Sequence, residues 1–264
     1  MLEQQLQGGC VLANYKSEQA ELRIFENKIF RWLCFDDEQA IQSCMLLAEP
    51  AKLILPYQQF MMMWQLLQGE NTLTTASLLG IGGGDIIRYL QRAFPLMKIV
   101  AVDNEPQIAQ IASKYFRVQP DQKQLTLQIE DAKEFIKNSQ RHDLLLIDIV
   151  ENNKPPGFFS EISFWKNCKE SLNENGIMIV NIIPESAEYL LNTLKMLKKV
   201  FGYLPLCMEV PEHKNIVLLM PLSFKAMPSS AELQKQCLRL QKDSELPFLQ
   251  CVEILQKDNV LREG

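Results

Sequence analysis

The chain contains no C-x-x-C pair, and its seven cysteines (Cys10, Cys34, Cys44, Cys168, Cys207, Cys237 and Cys251) are scattered and odd in number. Neither a disulfide framework nor a zinc site follows from such spacing, so a reducing, cytoplasmic compartment and no metal are expected. Histidine is scarce as well: His142 and His213 are the only two. Both read as incidental, His213 exposed in a turn and His142 structural ahead of a strand. No apolar run approaches the ~20 residues that cross a bilayer. The opening M-L-E-Q-Q-L-Q-G-G-C lacks the basic and apolar regions of a signal peptide, so none is expected. A net charge of −5 without a basic stripe argues against a nucleic-acid partner and suits a cationic ligand. Repeats and low-complexity tracts are missing too. With 264 residues, 47% hydrophobic and 22% charged, the chain can bury a real core in one α/β domain with a smaller appendage.

Organisation follows from periodicity and punctuation. From about residue 11 to 48 three short extended pieces, A-E-L-R-I-F-E-N, I-F-R-W-L-C-F-D-D and A-I-Q-S-C-M, are separated by turn chemistry at Glu26-Asn27 and Asp36-Asp37. They predict a small antiparallel sheet. A helix is expected from Tyr57 to about Gln68, burying Met61, Trp64, Leu66 and Leu67. Strands and helices then alternate, which predicts a mostly parallel sheet covered on both faces. The expected strands are 76–81, 98–102, 125–129, 144–149 and 176–183. The expected helices are 85–93, 106–116, 132–138, 161–172 and 185–201. Two last apolar runs, 204–210 and 215–220, are joined too tightly for a crossover and must form an antiparallel hairpin. Beyond Pro228, 230–241 and 246–257 read as amphipathic helices, the first with a serine cap. The implied division is 1–56, a small β domain; 57–222, a Rossmann-like nucleoside-binding domain; and 223–264, a helical extension.

The chemistry concentrates where strands end. Between Ser77 and Glu105 an apolar strand enters the turn Gly80-Ile81-Gly82-Gly83-Gly84-Asp85, a helix follows, and a second strand ends on Asp103. A dinucleotide fingerprint starting at Gly80 and Gly82 would place a third glycine at 85, where this chain has aspartate. A free carboxylate at a helix N-terminus repels a pyrophosphate and attracts an ammonium. The turn therefore predicts a nucleoside with a cationic tail, S-adenosylmethionine or its decarboxylated form, rather than NAD. Asp103 stands where a carboxylate takes ribose hydroxyls, and Asp131-Ala132 opens a helix in reach of an adenine amino group. Asp148 ends the apolar run L-L-L-I-D, a position from which it can align an amine and accept its proton. Each also has a plainer reading, Asp131 as a helix cap, Asp103 as a turn residue and Asp148 as a loop cap.

The ordered set I-F-E-N, I-Q, Y-Q, G-G-G-D, D-N-E, D-A-K-E-F and D-L-L-L-I-D, spread over roughly residues 20 to 221, resembles the spermidine synthases, or polyamine aminopropyltransferases. That resemblance implies an N-terminal β-hairpin domain on a methyltransferase-like Rossmann sheet and a homodimer, beside the absence of membrane and nucleic-acid partners expected from hydropathy and charge. It implies transfer of an aminopropyl group from decarboxylated S-adenosylmethionine, a co-substrate and not a tightly bound cofactor, to putrescine or a related polyamine. On the nucleoside side it assigns Gln42, Gln58, Gly80, Gly82, Gly83, Asp85, Asp103, Asp131 and Ala132, with Asp85 on the aminopropyl amine and Glu105 completing an acidic pair with Asp103. On the amine side it assigns Tyr57 as the flanking tyrosine and Asp148 as the proton acceptor. Glu151 replaces the second aspartate of the family's D-S-[ST]-D-P, which is D-I-V-E-N here, and Pro155 matches its later proline. The terminal hairpin, V-P-E-H-K-N, lacks the family's tyrosine. Two other readings stand beside this one: a small-molecule methyltransferase using intact S-adenosylmethionine, and a non-catalytic relative kept for binding or assembly.

Overall fold

The computed structural model describes residues 2–16, 21–35, 41–68, 73–121, 123–151, 154–223, 228–242 and 244–258. A short helix α1 (Leu2–Gln5) precedes four strands, β1 (Cys10–Lys16), β2 (Glu21–Glu26), β3 (Phe30–Phe35) and β4 (Ile41–Leu46), which form an antiparallel sheet in chain order. The last three are the extended pieces expected. The Glu26-Asn27 turn closes as an Asx turn, the Asn27 Oδ1 accepting from the N–H of Ile29 and Phe30 at 2.9 and 2.7 Å. Asp36-Asp37 lies outside the described residues. Strand β1 was not anticipated. It is an edge strand, exposed or half-exposed along its whole length, so it carries no alternating burial to read.

Then come α2 (Pro56–Met61), a 3-10 helix at Met62–Leu66, β5 (Thr75–Leu79), α3 (Asp85–Ala93), β6 (Lys98–Asp103), α4 (Pro106–Tyr115) and β7 (Leu125–Ile129). They are followed by α5 (Ala132–Asn138), β8 (His142–Ile147), a 3-10 turn at Gly157–Ser160, α6 (Ile162–Glu170), β9 (Leu172–Ile182) and α7 (Ala187–Phe201). The chain ends with β10 (Leu206–Glu209), β11 (Ile216–Pro221), α8 (Ser230–Leu240) and α9 (Phe248–Asp258). Seven strands share one mixed sheet in the order β10-β11-β9-β8-β5-β6-β7. The β5–β8, β8–β9 and β6–β7 pairs are parallel, and the terminal hairpin is antiparallel, as its short turn requires.

Two expectations were corrected. The helix over 57–68 is α-helical only to Met61, and the remainder is the 3-10 helix. Phe60, Met61, Met62, Met63, Trp64 and Leu66 are all at most 2% exposed. A segment buried on every side has no polar face to hold an amphipathic register, and a tightened turn lets consecutive side chains all find the interior. Met61 to Trp64 are therefore core of this chain. Strand β9 also begins earlier than residue 176. His142 pairs with Leu172 but Leu144 with Ile177, so Asn173–Gly176 bulges from the ladder.

The chain forms two compact units, Met1–Leu55 with Gly80–Asp131, and Pro56–Leu79 with Ala132–Gly264. In the second, α8 and α9 pack on the 3-10 helix at 62–66, and α9 also on β10, which is where the C-terminal amphipathic faces go. In the same unit Phe158, Phe159, Phe164 and Trp165 form an aromatic cluster with centroids 4.8–5.7 Å apart. No helix among the described residues is long and apolar enough to cross a membrane.

Candidate nucleoside and amine sites

In the first unit the glycine turn is built into the protein on one side and open on the other. Gly80 and Gly82 are half-exposed, whereas Gly83, Gly84 and Asp85 are buried. Gly84 has φ +75°, and a Cβ there would meet Val118 Cγ2 at 2.3 Å, so only glycine fits. The Gly83 N–H donates to Ser43 Oγ of β4 at 2.6 Å. Asp103, at the end of β6, accepts from the N–H of Ile81 at 2.9 Å and of Glu105 at 3.0 Å. Burial pushes its carboxyl above the usual range, and those two N–H groups oppose the rise. Asp103 thus closes the glycine turn onto β6. Glu105 serves as N-cap of α4, accepting from the Gln107 N–H at 3.1 Å. Gln42 lies half-buried on β4 beside Ser43, and Asp131 is exposed after β7, one residue before α5 opens at Ala132.

Asp85 differs from its expectation. Its side chain is wholly buried and ion-paired with Arg88, one turn along the same helix, while Oδ2 accepts from the Cys44 N–H of β4 at 3.0 Å. A buried carboxylate must be matched, and the i, i+3 spacing supplies the match. Arg88 donates further to the carbonyls of Pro50 (2.6 Å), Gly83 (2.6 Å) and Phe116 (2.8 Å). Burial lowers its pKa, and the Asp85 charge opposes this. The nearby Cys44 thiol is pushed up to about 12, by burial first and by Asp85 second. The carboxylate that was to select a cationic tail is thus neutralised within the protein, tying β4, the glycine turn and the end of α4 to one guanidinium.

The second unit holds the amine-side residues. Asp148 follows β8 directly; its N–H donates to the Leu79 carbonyl at 2.9 Å, and its Oδ1 accepts from Asn181 Nδ2 at 2.8 Å. Asn181, on β9 and 2% exposed, was not singled out from sequence. The signal available was one polar residue inside the apolar run I-M-I-V-N-I-I. Tyr57 and Gln58 sit on α2, Tyr57 half-buried and Gln58 buried, with Gln58 Nε2 3.4 Å from the Tyr57 hydroxyl. Glu151 is exposed, its backbone paired with Lys154. His213 is exposed in the β10–β11 turn, on the wall of a cavity of about 400 Å³ shared with α9. His142 starts β8, its Nδ1 3.2 Å from Ser77 Oγ and its ring stacked on Phe135; burial pushes its pKa down to about 4.

A parallel α/β sheet with a glycine turn closed by the carboxylate of the next strand defines the class that holds nucleosides at its strand ends. The spermine/spermidine synthase domain model matches residues 57–232. The chain belongs to that family. It is 26% identical over 203 residues to the polyamine aminopropyltransferase of Neisseria meningitidis serogroup A / serotype 4A (strain DSM 15465 / Z2491), covering 76% of this chain and 75% of that protein. It is 24% identical over 184 residues to the eEF1A lysine and N-terminal methyltransferase of Xenopus laevis, covering 66% of this chain and 26% of that one. Among solved structures, a probable spermidine synthase from Corynebacterium glutamicum superposes with a TM-score of 0.74 at 16% identity, over 90% of this chain and 89% of the other.

Proposed function

We propose that the protein transfers an aminopropyl group from decarboxylated S-adenosylmethionine to putrescine or a related polyamine. The observation that carries this reading is Asp148, at the carboxyl end of β8 and held as a hydrogen-bond acceptor by Asn181. A primary ammonium has a pKa near ~10.4 and must lose a proton before its nitrogen can attack carbon. Asp148 aligns the acceptor and takes that proton. The nitrogen lone pair forms the new C–N bond while the C–S bond breaks, its electrons returning to sulfur to leave a neutral thioether nucleoside. Tyr57 flanks the amine and Glu151 takes a second ammonium. On the donor, Asp103 takes the ribose hydroxyls and Asp131 the adenine amino group, with Gln42, Gln58, Ala132 and the open edge of the glycine turn at Gly80 and Gly82 around it. Rate enhancement comes chiefly from positioning and desolvating the nucleophile, since the sulfonium is already a good leaving group. The family resemblance supports a homodimer, and the scattered cysteines support a reducing, cytoplasmic compartment.

The test is product analysis by mass spectrometry after incubation with decarboxylated S-adenosylmethionine and a panel of amines. Asp148→Asn should abolish turnover while nucleoside binding stays nearly intact; a fully active Asp148→Asn would overturn the reading. One observation favours a second reading, methyl transfer from intact S-adenosylmethionine: Asp85 is paired with Arg88 and so has no free charge with which to reject a donor carboxylate. The similarity to a methyltransferase supports it as well. Calorimetry decides between them, because tight binding of the intact donor and none of the decarboxylated form would favour methyl transfer.

A further inference from the structure

Behind Asp148 stands a ladder of two side-chain amides. Asn215, beside the start of β11, donates from Nδ2 to Asn181 Oδ1 at 2.9 Å, and Asn181 donates from Nδ2 to Asp148 Oδ1 at 2.8 Å. Asn181 is 2% and Asn215 9% exposed, so both amides are largely withdrawn from bulk water. The ladder has one consistent direction. An ionised carboxylate only accepts, so Asn181 must turn its NH2 toward Asp148, which leaves its oxygen facing Asn215. Asn215 must then present its own NH2. Its backbone is fixed too, since its carbonyl accepts from the Val210 N–H at 3.0 Å across the β10–β11 turn.

We propose that Asn215 is a positioning residue for the transfer reaction. Through Asn181 it fixes the rotamer of the Asp148 carboxylate that meets the incoming amine. This rests on the function proposed above, in which Asp148 accepts the proton. Nothing in the hairpin sequence V-P-E-H-K-N marks Asn215 for such a role; only the register of β11 beside β9 brings it to Asn181.

The experiment compares wild type with Asn215→Asp and Asn215→Leu. Asn215→Asp keeps the shape but sets an acceptor against the Asn181 oxygen, which drives that amide to rotate and turn its oxygen toward Asp148. The expected result is a kcat lower by roughly tenfold or more, with KM for the amine moving by less than about threefold, as for a misplaced group. A carbon-13 NMR titration of the Asp148 carboxyl should show its midpoint raised. Asn215→Leu removes the donor without adding an acceptor, so a smaller loss in the same direction is expected; it also serves if Asn215→Asp does not fold. The charged groups lining the cavity at the Asn215 end, Glu209, Glu212, His213 and Lys214 on the hairpin and Lys257 and Asp258 at the end of α9, are common to all three proteins. Asn215→Asp adds a charge of its own, so a raised midpoint in the uncharged Asn215→Leu is the result that reports the ladder. If Asp148→Asn abolishes turnover but both Asn215 variants keep wild-type kcat and midpoint, the inference is overturned while the function stands. If Asp148→Asn is fully active, the function falls, and an unmoved midpoint in Asn215→Asp still rejects the ladder.

Discussion

Arg88 converts a residue that looked like a ligand contact into a structural one. Both partners of the Asp85–Arg88 pair are buried, so removing one alone strands a charge in the interior. Arg88→Met should lower stability by about 3–5 kcal/mol, and Asp85→Leu combined with Arg88→Met should recover most of it, as replaced buried pairs often do. Urea denaturation of the single and double variants checks this, and a single variant as stable as wild type would deny the clamp. The D-I-I-R spacing was visible in the sequence. Only the burial of Asp85 reveals that its carboxylate needs that arginine. Asn181 and Asn215 were illegible for a different reason: hydrogen bonds between neighbouring strands depend on register, which no local pattern reveals. The place of Asp103 at the end of β6 was legible because it depends only on the strand–turn–helix order around it. His142 carries its own consequence. Its pKa falls from an ordinary 6.5 to about 4 because burial penalises the charged ring, so the unfolded chain takes up a proton first as pH drops. Stability should therefore be retained above pH 6.5 and decline by roughly 3 kcal/mol as pH falls toward 4. His142→Phe should flatten that part of the profile; a slope unchanged in the variant would assign it elsewhere.

At the scale of elements, the strands of the parallel sheet were readable because burial on both faces leaves continuous apolar runs. Helices α3 and α5 fall on their expected residues. Edge strand β1 gave no pattern, and the bulge in β9 concealed the first residues of that strand. Helix α8 shows how much one cap can fix. Ser229 and Glu232 form a reciprocal capping box, joined by Gln256 of α9, whose Nε2 donates to Ser230 Oγ at 2.8 Å. Ser229→Ala should cost about 1 kcal/mol, seen in hydrogen exchange as faster opening of α8 before any change in the sheet. Uniform acceleration across the protein would mean that α8 has no independent opening.

For the whole molecule, the decisive packing is that of the last two helices. Leu233, Cys237, Phe248, Cys251 and Leu255 are buried without measurable exposure, and their helices lie on the 3-10 helix of Met62–Leu66. An amphipathic face announces that it will be buried but not against what, which is why the sequence left the destination of these helices open. A chain ending at Leu222 should expose the methionine-rich segment, bind a hydrophobic dye at neutral pH and melt well below the full chain. Equal melting of the two would show that the helices add nothing to the core.

That cover carries a cost during synthesis. The segment holding Met61-Met62-Met63-Trp64 leaves the ribosome early, and the helices that seal it follow much later, on the order of ten seconds at ordinary elongation rates. Through that interval the nascent chain displays an adhesive apolar stretch, the kind of surface that holdase chaperones recognise. Yield in a host should therefore respond more to chaperone supply and translation speed than the stability of the finished protein would imply.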